Sequence, residues 1–440
     1  MGKGVVVSLF RQAIRHLIES VKTAKSDQKR LVYRFQGAPN IDSIDWADAQ
    51  SLYPKFYWQS RDAHQETVAL GQLAVFSGSI DVDSLAEDQR VWGGSPFNKP
   101  YVSDCIPTPH FFVLPLIELI REGKQWSIAV NLNQDRQDIL DQLKKIVIEL
   151  PPISPLSINV SKLTHCPDRA DWCELVNRVL AGIDSQAFKK VVLARKTTLK
   201  MNGVASATQL LKSSRANNYN SFHFMFSMDE SCSFVGSSPE RLFVKHQQNL
   251  STEALAGTVG RGASASHDMA LANWLCMDTK NRHENCHVVD DIVERLTPYA
   301  SQIDTDSEAH LIKLRKVQHL KRNIYAHLKP NTSAVELLHA LKPTAAVAGL
   351  PRKDAMTFIQ KHEPFHRGWY AGSLGFIGRH QAEFCVTIRS ALVKANEIEL
   401  FTGAGIVSGS VATDEWDELD KKMSTLFSLF DDSHELEAVS

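Results

Sequence analysis

The sequence predicts an α+β protein, and three observations carry that prediction. With 43% apolar and 22% charged residues among 440, the chain has the composition of an ordinary folded globular protein. Its C-terminal part consists of short β-branched and aromatic runs joined by turns so tight that neighbours must pair antiparallel. Two long stretches of helical periodicity stand apart from those runs, which segregates helices from strands.

The elements follow in chain order. Residues 5–21 read as a helix, and segments such as 66–77 read as strands between polar turns. The strongest break is at 150–155, where Pro151, Pro152 and Pro155 interrupt any helix or central strand, so the chain divides into regions 1–155 and 156–440. Beyond it, 188–199, 221–227, 233–236 and 241–245 read as strands, and a polar turn at Gln247, Gln248 and Asn249 leads into 250–255. The pattern repeats in 369–377, 383–393 and 397–407, with turns at 378–381 and at Ala395 and Asn396. One helix is expected from about 270 to 296, with Trp274, Leu275, Val288, Val289, Ile292, Val293 and Leu296 apolar. The last begins near Thr413 as N-cap and puts Trp416, Leu419, Met423, Leu426, Phe427 and Phe430 on one face.

Composition excludes several classes of function. Lys and Arg total 49 against 50 acidic residues, and no basic block exists to hold a polyanion, so no nucleic-acid partner is expected. The apolar stretch 111–120 is interrupted by Pro115 and Glu118 and is too short for a bilayer, and 5–10 is too short for a signal peptide. The seven cysteines are scattered without a Cys-x-x-Cys pair and read as reduced thiols of a cytosolic protein.

Two motifs are decoys. His283, Glu284 and His287 match a zinc-peptidase HExxH pattern, but the metzincin continuation is absent, with Asp290 and Val293 in its place. The run 403–409 follows an apparent strand and resembles a dinucleotide-binding glycine loop, but too little chain follows to build the β-α-β unit.

On the last helix Glu415, Glu418 and Lys422 share one face, which on spacing alone reads as a solvated surface with an i,i+4 ion pair. On the earlier helix Glu284 lies one turn before Val288, at the edge of the apolar stripe. Two carboxylates on separate helices also suit Mg²⁺, a hard cation that keeps part of its water.

Seven ordered motifs decide between these readings: KVVLAR at 190–195, SSPERL at 237–242, TEALAGT at 252–258, KNRHEN at 280–285, PTAAVAGLP at 343–351, GAGI at 403–406 and EWDE at 415–418. Together they resemble the chorismate-utilising enzymes over about residues 160–430, most closely the menaquinone-pathway isochorismate synthases. The resemblance implies an anthranilate synthase component I-like, four-layer α/β sandwich with large antiparallel sheets. The active site would lie between the sheets, with the N-terminal region woven into the same sandwich. It further implies isomerisation of chorismate by Mg²⁺-dependent addition of water at C2 and loss of the C4 hydroxyl.

Residue by residue, the resemblance implies Lys190 as the general base that activates water and Glu240 as the general acid that protonates the departing hydroxyl. Glu284 and Glu418 would hold Mg²⁺ against the ring carboxylate, with Glu415 bridging directly or through water. Backbone at Gly257 and Thr258 would support the same carboxylate, and Leu255 and Ala346 would be further substrate-binding positions. Tyr370, Arg389 and the Gly403 N–H would clamp the enolpyruvyl carboxylate, where a planar guanidinium suits a bidentate contact. Lys422 matches a family lysine near the site. On local sequence alone, Lys190 reads as an exposed strand-start lysine and Glu240 as part of a solvated turn.

Departures from the family pattern select the activity. Ammonia-using relatives carry a hydroxyl residue at the place of Ala346, and some place a nucleophilic lysine at Ala256. Asn281 and Lys342 replace an acidic residue and a frequent histidine. The tetrapeptide at 17–20, similar to an effector motif of anthranilate synthases, falls in an amphipathic helix where such a string arises easily. The expectation is a cytoplasmic isochorismate synthase, a monomer or weak dimer, with no membrane attachment and no glutamine amidotransferase subunit. Its rivals are a salicylate synthase, an ammonia-using chorismate enzyme, a zinc peptidase and a binding protein without turnover.

Overall fold

Alternation of large apolar side chains builds two antiparallel sheets, twelve-stranded and ten-stranded, in a computed structural model that describes residues 3–430 apart from 40, 79, 98–109, 134, 149–151 and 157–158. Leu150 and Pro151, at the expected division of the chain, and Cys105 lie outside the described residues.

In the first sheet, strands from the start of the chain, ending with Gln65–Leu70 and Lys55–Gln59, continue into Phe222–Ser227, Cys232–Ser238, Ser390–Lys394, Glu397–Val407 and Lys190–Met201. The seam sets Gln59 opposite His223. The second sheet likewise mixes early and late strands, with Arg90–Ser95 beside Ser373–Gly378.

The period of two decides which face each residue serves. Phe56, Trp58, Phe222, Phe224 and Phe226 join a core shared with the second sheet, while Tyr57, Met225 and Val235 point into a second core. Across the sheets the rings of Phe226 and Phe111 lie 5.7 Å apart. The second core is closed by the helices Lys3–Thr23, Ser43–Ala49, Arg136–Lys144 and Ala207–Asn217. On the other side Val288, Val289, Ile292 and Leu296 of the helix Thr279–Leu296 pack on Ala254, Ala256 and Ile324 of the second sheet. The result is the four-layer sandwich.

Several expected elements divide. The run 66–77 is two strands, Gln65–Leu70 in the first sheet and Ala74–Phe76 in the second. The run 383–393 is also two, Gln381–Val386 in the second sheet and Ser390–Lys394 in the first. A strand expected from 369 begins only at Ser373. The expected helix 270–296 breaks at Asp278, whose carboxylate caps the second piece by accepting from the Asn281 N–H. The last helix is Ala412–Phe427 with no side-chain cap, so Thr413 lies inside it.

Among the described residues no helix is long and apolar enough to cross a membrane. Cys166, Cys173, Cys276, Cys286 and Cys385 are free thiols.

Candidate active site

Two strand-to-strand crossings build the centre of the molecule. After Ser238 the chain leaves the first sheet and enters the second at Arg241, so Pro239 and Glu240 bridge the layers. After Val386 it returns, with Arg389 in the left-handed region at φ +50°. The crossings bond to each other: Val386 N–H donates to the Glu240 carbonyl at 3.1 Å, and Ser237 N–H to the Arg389 carbonyl at 3.1 Å. An acid and a guanidinium are thereby delivered to one cavity of about 400 Å³.

All thirteen side chains or backbone positions singled out in the sequence line that cavity: Lys190, Glu240, Leu255, Gly257, Thr258, Glu284, Ala346, Tyr370, Arg389, Gly403, Glu415, Glu418 and Lys422. Lys190 opens its strand and is buried, not exposed; its Nζ donates to Glu284 Oε1 at 2.7 Å. The glycines of the 403–406 run lie within a strand, which removes the dinucleotide-loop reading. They leave space: a Cβ on Gly405 would sit 2.9 Å from Lys190 Cε, and one on Gly403 would sit 2.7 Å from the Tyr370 hydroxyl. Lys422 donates to the Gly403 carbonyl at 2.9 Å and pairs with Glu418 at 2.6 Å.

Electrostatics separates the carboxyls. Burial, then the neighbouring charge of Glu253, pushes Glu240 up to about 8, so it holds its proton at neutral pH; Thr344 donates to it at 3.3 Å. Burial also raises Glu284, but the charge and hydrogen bond of Lys190 outweigh it and hold this carboxyl below its ordinary range. Glu415 is raised by burial and by repulsion from Glu418. Burial raises the Tyr370 hydroxyl and pulls Arg389 down to about 10.

Two arrangements lay beyond sequence reasoning. His319 is buried and held well below its usual value by burial and Arg389, so it is neutral. Its Nε2 faces Arg389 Nη2 at 2.8 Å and its Nδ1 faces Thr258 Oγ1 at 2.9 Å. Arg389 is always a donor, so Nε2 accepts and the ring proton lies on Nδ1. The signal that could have found His319 is the pairing Thr258↔His319 beside a bulge, which only the folded sheet shows. Asn281 is the second: its Oδ1 accepts the Thr258 N–H at 3.2 Å, so that N–H already has a partner.

His283 and His287 are exposed on the outer side of their helix while Glu284 turns to the cavity. The zinc-peptidase reading falls on that geometry. Among the described residues no group of three or more His, Cys, Asp or Glu side chains is arranged as a metal cage. The same holds for Glu284, Glu415 and Glu418, but Mg²⁺ needs only one or two carboxylates beside water and substrate oxygens. The donor chemistry fits: the cavity carries the acids Glu240, Asp278, Glu284, Asp414, Glu415 and Glu418 against the cations Lys190, Lys280, Arg389 and Lys422. An anionic ligand would meet an excess of carboxylates there unless a cation accompanied it.

A family model described as "Chorismate binding enzyme" matches residues 88–431. The chain is 37% identical over 400 residues to isochorismate synthase MenF of Escherichia coli, covering 88% of this chain and 90% of that one. It is 36% identical to isochorismate synthase MenF of Haemophilus influenzae, covering 97% and 98%. A solved structure of the menaquinone-specific isochorismate synthase of Escherichia coli superposes with a TM-score of 0.87 at 35% identity, covering 96% of this chain and 99% of that one.

Proposed function

The chain belongs to the chorismate-binding enzyme family, and from that premise we propose that it is an isochorismate synthase, an isomerase acting in menaquinone synthesis. The observation that carries the reading is a protonated, buried carboxyl at Glu240 and the buried Lys190 side chain, paired with Glu284, facing one cavity that also holds Arg389.

The reaction exchanges one hydroxyl for another on a dianionic ring. Lys190 acts in its neutral amine form, reached by releasing its own proton to solvent and with it the ion pair to Glu284. It then takes a proton from the water that attacks C2, and Glu240 gives its proton to the hydroxyl leaving C4 as both ring double bonds shift. Water is consumed and released, so the net change is an isomerisation. Glu240 suits the acid's role because it is neutral at the working pH. Arg389, oriented by His319, is the donor for the enolpyruvyl carboxylate, with Tyr370 beside it. Glu284 and Glu418, with Glu415 behind them, would hold Mg²⁺, which when bound supplies the positive charge that the ring carboxylate requires. Ala346 offers no hydrogen bond to an incoming amine, which favours water as nucleophile and activity without an amidotransferase partner.

The test is incubation of the purified protein with chorismate, Mg²⁺ and excess ammonium, followed by separation of products. Isochorismate is expected. Anthranilate, aminodeoxychorismate, salicylate or no product overturns the reading. Lys190→Ala should abolish turnover while circular dichroism stays unchanged, and a folded variant with wild-type rate removes Lys190 from the mechanism.

A further inference from the structure

One side chain of the N-terminal region reaches the crossing that carries Glu240. Arg61 lies in the turn between the strands Lys55–Gln59 and Gln65–Leu70, where its guanidinium packs over the Phe222 ring at 5.8 Å. It donates through both terminal nitrogens to the buried Glu253 carboxylate, Nη2 to Oε2 at 2.9 Å, and Nη1 also donates to the Pro239 carbonyl at 2.8 Å. Glu253 Oε1 in turn accepts the Arg241 N–H at 3.0 Å. Pro239 and Arg241 are the two neighbours of Glu240. The groups of Glu240 itself are also held, its N–H by Ser238 Oγ at 3.3 Å and its carbonyl by Val386.

Resting on the reading of Glu240 as general acid, we propose that Arg61 and Glu253 are a positioning pair that fixes the peptides on either side of that acid and so aims its carboxyl at the reacting ring. The N-terminal region thereby takes part in turnover through a residue that never touches substrate. A forked donor is required, because one guanidinium must serve a carboxylate and a carbonyl together.

The pair also acts on the proton of Glu240. Glu240 is faced by Glu253 from the neighbouring strand, by Lys190, Arg389 and Tyr370 of the same cavity, by the buried Cys385 and by the Thr344 hydroxyl. Glu253 is faced by Arg61 and by Lys321 at 3.7 Å, while Arg241 is bound to Glu383. Removing the charge of Glu253 makes ionisation of Glu240 easier, so activity that needs its proton is lost at lower pH.

The experiment is kcat and KM against pH for the full chain and for Arg61→Met, Arg61→Lys, Glu253→Gln and Glu240→Gln, each checked for cooperative thermal unfolding. Arg61→Met should lower kcat about tenfold with KM for chorismate within about twofold. Arg61→Lys, which keeps the charge but not the fork, should fall between. Glu253→Gln, close in shape, should move the alkaline limb of kcat down by about one pH unit. Folded Arg61→Met with wild-type kcat, or an unmoved limb in Glu253→Gln, overturns the proposal; if Arg61→Met does not fold, Glu253→Gln and Arg61→Lys decide. Turnover retained in Glu240→Gln defeats the reading of the acid itself. Its loss beside unaffected Arg61 and Glu253 variants defeats only the pair.

Discussion

Replacing Glu240 by Gln should stabilise the protein while destroying its activity, and the size of the gain depends on pH. Burial, with Glu253 second, raises the Glu240 carboxyl from 4.5 to about 8. Between these values the unfolded chain ionises the group while the folded chain keeps the proton. Folding stability therefore falls as pH rises from about 4.5 to about 8 and is not lost further above that. At about 1.36 kcal/mol per unit, the penalty is on the order of 3 kcal/mol at pH 7 and under about 1 kcal/mol at pH 5. Gln cannot ionise in either state, so Glu240→Gln recovers that amount. With an unfolding entropy of about 2.1 cal/mol/K per residue, this corresponds to a Tm increase of about 3 °C at pH 7. Calorimetry of both proteins at pH 5 and pH 8, beside a product assay, reads both effects. Turnover should fall at least about a hundredfold. A Tm difference equal at the two pH values, or a variant that turns over normally, refutes the reasoning.

Three further outcomes follow from the geometry. Gly405→Ala would set a Cβ 2.9 Å from Lys190 Cε, so it should cost about 1–3 kcal/mol in urea unfolding and lower kcat more than it raises KM. Glu418→Gln should weaken Mg²⁺ binding in calorimetric titration, and unchanged affinity would remove Glu418 from the ligand set. Arg367 is fully buried between Glu363 and the carbonyls of Val192 and Val347, with Glu363 also accepting the Ala194 N–H, so Arg367→Met should cost about 3–5 kcal/mol by leaving Glu363 unpaired. Denaturant titration checks it.

The site residues were readable because each sits in a short contiguous string whose order along the chain identifies a family. The layers were not. At 71–73, 239–240 and 387–389 the chain passes from one sheet to the other, yet apolar residues continue on both sides of the first and last of these, so each reads as one strand where two exist. The break at Asp278 is hidden because the largely polar run 278–287 contains no proline or glycine to mark it. Lys190 and Glu240 looked exposed because solvent exposure depends on what lies opposite, and a linear pattern carries no record of that. His319 and Arg61 belong to no motif. One gains its meaning from strand register, the other from a seam between strands more than 160 positions apart in sequence.

The crossings between the sheets decide how the acid and the guanidinium are placed. Side chains on flexible loops would leave Glu240 and Arg389 free to close on each other, because a buried carboxyl and a buried guanidinium attract strongly at low dielectric. Here each is mounted on a sheet crossing, and the crossings are joined by backbone hydrogen bonds between Val386 and Glu240 and between Ser237 and Arg389. Arg389 is turned to His319, and Glu240 accepts from Thr344. The two groups are therefore fixed by main chain, Arg389 is committed to His319, and burial with the charge of Glu253 leaves Glu240 its proton. An acid that must donate at neutral pH beside a cation needs both groups held in place, and the double crossing between sheets supplies that.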